Sequence, residues 1–133
     1  MINLSIAVKV SGSNLNVSNL NEELNLVATD FHYSNDVFKM TDKLSKTFKS
    51  DYWEYRLKFK TDQWAQTIIN KFIDEIIMER ITPLKKISMN FYTEFFIGIE
   101  YHKVANPSFH FDKERLRGLS EIGFEIDIDT YIV

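Results

Sequence analysis

Five segments of this chain alternate between apolar and polar residues, and this alternation constrains the fold more than any other feature of the sequence. The clearest segment is 2–10, where every second residue is apolar, and the ranges 27–33, 53–60, 92–101 and 125–132 repeat the pattern. Side chains of a strand point alternately to its two faces, so each segment would have one apolar face and one polar face. The sequence therefore predicts five strands of a sheet with one buried side.

Apolar residues at helical spacing lie between these predicted strands. They indicate a short helix over 17–24 and a main helix over 64–77, whose wide apolar stripe is suited to covering a sheet. A Thr-Pro pair in the positions of an N-cap and a first turn predicts a brief helix over 82–89. A last helix is predicted over 112–123, because an Asp can cap its start and a Gly can end it.

The order of these elements is strand, helix, strand, strand, one or two helices, strand, helix, strand. We expect an α+β fold of one domain over residues 1–133, a two-layer sandwich of ferredoxin-like character. A mainly antiparallel five-stranded sheet would carry three to four helices on one face. Strand-helix-strand units at about 1–33 and 91–133 share one layout, which indicates a weak internal duplication.

Composition narrows the class of protein. A content of 44% hydrophobic and 26% charged residues is typical of globular proteins, and the absence of Cys excludes disulfides, thiolate nucleophiles and cysteine-ligated zinc. Polar residues interrupt the first apolar segment without a basic leader, so we expect no signal peptide. No stretch approaches the ~18 apolar residues that cross a bilayer. We therefore expect a cytoplasmic protein without membrane contact.

The range 34–50 is polar and irregular, and the sequence predicts a long loop there. Lysines interleaved with aromatic residues suggest phosphate contacts and base stacking, as in nucleic-acid binding. The net charge of −3 and the lack of an aromatic RNA-binding motif argue against that interpretation. A surface loop or a protein contact are the alternatives, and whether this loop is ordered stays open at this point.

Three stretches of the sequence resemble one protein family. They are Asn16 to Leu26 followed by Ala28-Thr29, the run Asp51-Tyr-Trp-Glu54, and the closing segment 109–131 with its polar helix, Gly stop and acidic-apolar alternation. Together they resemble the bacterial family catalogued as domain of unknown function 4279. The resemblance spans nearly the whole chain and implies the fold and a bacterial source. It supplies no catalytic residues, because that family has no assigned activity.

The polar sides of the predicted strands form a candidate interaction surface. It combines basic, acidic and aromatic side chains, and aromatic residues are enriched in the cores of protein interfaces. Opposite charges on neighbouring strands would also stabilise the register. The surface consists of Arg56, Lys58, Lys60, Tyr92, Glu94, Phe96, Glu100, Glu125, Asp127, Asp129 and Tyr131.

No catalytic residue, cofactor-binding residue or metal ligand can be assigned from motifs. The histidines lack the close spacing of local metal sites, and neither a nucleophile elbow nor a Gly-rich phosphate loop is present. Carboxylates on the last strand are separated by about 6.6 Å, too far for all of them to bind one ion. A weaker hypothesis places a loop-end pocket near Asn14, His102 and His110, across the turn at 106–107.

These observations favour a non-enzymatic bacterial protein that binds another protein, such as an immunity or accessory factor. The alternative is a small-ligand binder or an enzyme that uses the loop-end pocket. A homo-oligomer joined through an exposed strand edge is a third possibility. No cofactor is expected, and nucleic acid is not the expected partner.

Overall fold

The computed structural model describes residues 2–39, 45–102 and 108–133. Its strands and helices follow in this order: β1 (Ile2–Gly12), α1 (Val17–Leu24), β2 (Asp30–His32), β3 (Val37–Lys39), β4 (Ser45–Thr47), β5 (Asp51–Thr61), α2 (Ala65–Phe72), a π turn (Ile73–Ile77), a 3₁₀ turn (Met78–Arg80), α3 (Ile81–Ser88), β6 (Tyr92–Tyr101), α4 (Lys113–Ile122) and β7 (Glu125–Ile132).

The main sheet has five strands in the order β2, β5, β1, β6, β7. The first three neighbouring pairs are antiparallel, and β6 pairs with β7 in parallel. The prediction of an α+β fold with a mainly antiparallel five-stranded sheet is confirmed. The parallel pair at one edge makes the sheet mixed, a feature that the alternation in the sequence could not reveal.

The connections interleave two strand-helix-strand units. β5 lies between the parallel strands β1 and β2, and β1 lies between the parallel strands β5 and β6. This is the split arrangement of ferredoxin-like topology, to which α4 and β7 are added beside β6. The units at about 1–33 and 91–133 therefore share element order but differ in strand adjacency, because β6 and β7 are direct neighbours.

The helices pack against one face of the sheet. Apolar side chains of β1, β5 and β6 join those of α1, α2, the π turn, α3 and α4 in one hydrophobic cluster. Trp53 of β5, Phe95 of β6 and Ile69 of α2 are completely buried in it. The opposite side of the sheet, which carries the polar residues of the alternation, is called the outer face below.

The main helix differs from its prediction. The range 64–77 divides into α2 and the π turn, and both Ile73 and Ile77 of the π turn remain fully buried. α3 begins at Ile81, so Thr82 lies inside the helix and is not its N-cap. The Arg80 side chain donates instead to the backbone carbonyls of Leu24 (2.6 Å) and Ile76 (3.0 Å), and thus ties the end of α1 to the π turn.

The range 34–50 holds a short hairpin, β3 with β4, where a loop was predicted. Strands of three residues are too short to show a period in the sequence. The base of this segment is anchored by the buried Asp51, which accepts hydrogen bonds from the backbone N–H groups of Ser34 (2.7 Å) and Leu15 (3.1 Å). Residues 40–44, with part of the lysine-aromatic pattern, lie outside the described residues.

Candidate functional site

All residues of the predicted interaction surface lie on the outer face. The register pairs Arg56, Lys58 and Lys60 of β5 with polar-face residues of β1, and it pairs those in turn with the outer residues of β6. β7 continues the rows, with Asp127 beside Phe96. The alternation in the sequence thus assigned these side chains to the correct side of the sheet.

The charges on this face are separated into two stripes. The basic residues predicted on β5 and the acidic residues of β6 and β7 have β1 between them, so they do not oppose one another on neighbouring strands. β1 contributes small polar residues and Lys9, whose Nζ lies 3.8 Å from a carboxylate oxygen of Glu94. Direct pairing of the two stripes, the condition under which their charges would stabilise the register, does not occur, because β1 lies between β5 and β6.

A network of partly buried polar groups surrounds Glu54 on this face. Glu54 is only 8% exposed, and its carboxylate accepts two hydrogen bonds from the Arg56 guanidinium (2.8 and 2.9 Å) and one from the Tyr52 hydroxyl. Arg56 also donates to Ser5 Oγ on β1. This fork of parallel bonds fixes the guanidinium in the plane of the carboxylate, the strongest geometry for such a pair.

Burial and hydrogen bonding act in opposite directions on this network. Burial alone would raise the pKa of Glu54, but hydrogen bonds from Arg56 and Tyr52 and the guanidinium charge outweigh it, so the pKa lies below its ordinary value. Burial, and then the hydrogen bond to Glu54, raises the pKa of the Tyr52 phenol. The carboxylate is therefore charged and the phenol neutral near neutral pH, and the network forms an ionic support for this face.

Phe96 is the apolar centre of the outer face. Its ring is covered by two cations, with Lys9 Nζ 4.1 Å and the Arg56 guanidinium carbon 4.8 Å from the centroid, so that Phe96 is only 9% exposed. Both are within cation–π range. The ring extends over Gly98, where an added Cβ would lie 3.1 Å from it. Gly98 therefore leaves the space that lets the ring lie flat.

A concavity of about 590 Å³ opens on this face beside Phe96. Tyr131, which is 56% exposed, forms one side of it, and Lys58 and Lys60 form the other. Its floor includes Asn3 and Ser5 of β1, and Ser5 pairs in register with Gly98 of β6. The concavity is thus bordered by a basic stripe, an acidic residue (Glu100) and an aromatic ring.

Tyr92 occupies the acidic end of the outer face. Its hydroxyl donates to Glu94 Oε2 (3.0 Å), and Glu94 pairs in register with Glu125. Hydrogen bonding with Glu125, then burial and the bond to Glu94, raises the pKa of the Tyr92 phenol. The neutral phenol therefore donates between carboxylates that would otherwise only repel one another.

Sequence reasoning missed the residues that support this face. In the sequence alone, Glu54, Lys9 and Ser5 are ordinary polar positions of their strands. The alternation indicates that these residues lie on the polar face. It does not indicate which residues they contact, because that depends on which strands are neighbours in the sheet. The alternation does not specify those neighbours.

The structure places Asn14 and His102, two of the three predicted loop-end residues, beyond opposite ends of β6. Asn14 follows the end of β1 where β6 begins, whereas His102 follows the opposite end of β6, next to the start of β1. His110 borders a separate hollow of about 470 Å³ with Trp64, and its backbone N–H donates to Gln66 Oε1 (2.6 Å). The turn at 106–107 lies outside the described residues.

Metal binding and membrane insertion are two further functions on which the described residues bear. The remaining histidine, His32, is stacked between the rings of Phe48 (3.5 Å) and Tyr52 (5.0 Å). Within 2–39, 45–102 and 108–133 there is no group of three or more His, Asp or Glu side chains that could hold a metal ion. None of the helices in those ranges has the length and apolar character needed to span a membrane.

A family model described as "Domain of unknown function (DUF4279)" matches residues 3–133. No curated protein and no solved structure matches the chain. The match covers essentially the whole chain, so the family extends over both the helical layer and the outer face.

Proposed function

This chain belongs to the DUF4279 family, and from that premise we propose that it is a protein-binding module which docks its partner on the outer face of the sheet. The observation that carries the proposal is the uncovered concavity between the basic stripe and Tyr131. The described helices all pack on the other side of the sheet, so a partner can reach this concavity directly.

The chemistry of the outer face suits a protein partner. Interfaces combine aromatic anchors with a polar rim, and both charge signs allow a partner to be oriented before it docks. Tyr131 and Tyr92 are 56% and 47% exposed, while Phe96 and Glu54 beneath the charges are held rigidly. A rigid floor with exposed aromatic residues loses little conformational freedom on binding.

The wider role that we propose is that of a non-enzymatic bacterial cytoplasmic protein, an immunity or accessory factor that acts by occupying its partner. The support is chemical: the ionisable network on the outer face holds a charged Glu54 and neutral phenols, and these groups are saturated by each other. The competing hypothesis is an enzyme or small-ligand binder. Its ligand would occupy the hollow that His110 borders, and Asn14 does not line that hollow.

A paired substitution on the outer face tests the proposal. We expect Glu100→Lys with Tyr131→Ala to weaken a stoichiometric complex, isolated from the native host with the wild-type chain, by about tenfold or more, because both side chains border the concavity. The matched control is Glu79→Lys with Met89→Ala, since both of these side chains are exposed on the helical side. Affinity is measured by calorimetry with the purified partner.

Each result bears on the proposal. Loss of affinity in the outer-face variant with an unchanged control supports docking at the concavity. Recovery of no stoichiometric partner, or equal binding by both variants, counts against it. Circular dichroism and thermal unfolding of each variant ensure that the difference is not one of folding.

A further inference from the structure

The sheet has an open edge along the second half of β5. β2 pairs with β5 through its residues 52–54, and no strand in the described ranges pairs with β5 on that side beyond Glu54. Thr29 N–H donates to the Glu54 carbonyl (2.8 Å), and Arg56 N–H donates to Thr29 Oγ1 (2.9 Å), so even-numbered residues direct their backbone groups to this edge. By the same alternation, the N–H and C=O groups of Lys58 and Lys60 face it too.

This open edge is basic on one side and apolar on the other. Lys58 and Lys60 are exposed on the outer face. On the helical side, Leu57 and Phe59 are half-buried and border a hollow of about 590 Å³ that extends to α2. Ile68, Phe72 and Ile76 line its helical wall. A strand added here would place acidic residues beside the lysines and apolar residues over the hollow.

The opposite edge of the sheet, β7, has that pattern. β7 pairs on one side with β6 and ends the sheet on the other. Its outer-face residues include Asp127 and Asp129, while Ile126 and Ile128 point to the helical side and are 37% and 42% exposed. The edge is eight residues long and covered on its free side by no other strand of the described residues.

We propose that β7 of a second copy of this chain adds to the open edge of β5 and continues the sheet. When the faces of two copies are aligned, β7 runs parallel to β5, because β7 is parallel to β6 and two antiparallel steps lead from β6 to β5. One register then places Asp127 beside Lys58 and Asp129 beside Lys60. The same register places Ile126 and Ile128 beside Leu57 and Phe59.

Charge selects this head-to-tail pairing over symmetric ones. Pairing β5 with β5 would bring lysines together, and pairing β7 with β7 would bring aspartates together, both of which are unfavourable across adjacent strands. Lysines on an edge strand usually prevent edge-to-edge association, but edges of opposite sign attract. A head-to-tail interface repeats from copy to copy, so the assembly grows with concentration.

Sedimentation velocity of the full chain over a concentration series tests this inference. We expect the mean mass of the wild type to rise with concentration and to fall when salt is added. Lys58→Glu with Lys60→Glu, and separately Asp127→Lys with Asp129→Lys, should each weaken association by about tenfold or more, because like charges then meet at the interface. Lys58, Lys60 and Asp127 are exposed and Asp129 is half-buried on the polar face, so both variants should fold.

Mixing the two charge variants gives the decisive comparison. The lysine variant has two acidic edges, and the aspartate variant has two basic edges. In an equimolar mixture every acidic edge can pair with a basic edge of the other variant, so we expect association to return to about the wild-type level. Hydrogen exchange should then slow in residues 57–61 and 125–132 at high concentration. A wild type that remains monomeric throughout, a mixture that does not associate, or protection elsewhere in the chain overturns the proposal. Partner binding on the outer face is measured in a separate experiment. Self-association and partner docking can therefore be disproved independently of each other.

Discussion

Replacing Trp53 by alanine is expected to lower the free energy of unfolding by about 3–5 kcal/mol, the largest effect of any single change considered for this chain. Trp53 is completely buried where β5 meets the helices. Its indole N–H donates to Asn21 Oδ1 (2.8 Å), which also accepts from the backbone of Ala28 (3.0 Å). The substitution therefore creates a cavity and loosens α1 from the sheet.

Trp64 provides a control of the same residue type. It is 78% exposed at the start of α2, so Trp64→Ala should change stability by less than about 0.5 kcal/mol. Urea unfolding followed by circular dichroism measures both variants, and the fluorescence of the remaining tryptophan reports the buried or the exposed site. Equal stabilities for the two variants would contradict the position of the core.

The second large loss of stability is expected when Glu54 is replaced. Glu54→Ala removes the carboxylate that accepts from Arg56 and Tyr52, and it leaves a guanidinium whose side chain is 19% exposed without its main partner. We expect the free energy of unfolding to fall by about 2–3 kcal/mol. This is less than the cost of breaking a fully buried ion pair, because Arg56 retains some contact with water. Glu114→Ala is the matched control, since its ion pair with Arg117 is exposed and should contribute below about 0.5 kcal/mol.

The same carboxylate makes stability depend on pH. The pKa of Glu54 is lowered in the folded chain, so its contribution is present above the ordinary value of 4.5 and is lost as the pH falls through the lower folded value. Asp51, held by backbone N–H groups, has a lowered pKa and acts in the same direction below 3.8. We expect Glu54→Gln to flatten the acid slope of unfolding free energy below pH 4.5. An unchanged slope would mean that Glu54 is not paired.

The sequence could predict the faces of the strands but not their neighbours. Alternation over β1 and β7 follows from burial of one side, which is a local signal. The position of β1 between β5 and β6 depends on the connections, and it decides that Lys9 reaches Glu94 while Lys58 does not. The sequence therefore places the candidate surface on the correct side of the sheet, but it does not determine which of its charges pair.

Local exceptions to regular structure were beyond prediction for a similar reason. The pairs of apolar residues over 64–77 are compatible with an α-helix throughout. The structure instead has a π turn at Ile73–Ile77, in which both isoleucines are buried in the same core. β2 is confined to Asp30–His32 because the chain before it is bound elsewhere. The backbone of Ala28 donates to Asn21, and Val27 is 76% exposed.

Carboxyl footprinting of the complex most directly tests whether the partner docks on the outer face. With the partner bound, we expect labelling of Glu100, which borders the concavity, to fall severalfold, while Glu114 and Glu121 on α4 keep the labelling of the free chain. Protection of the α4 carboxylates, with Glu100 still fully labelled, would show that the partner covers the helices and would contradict docking on the outer face.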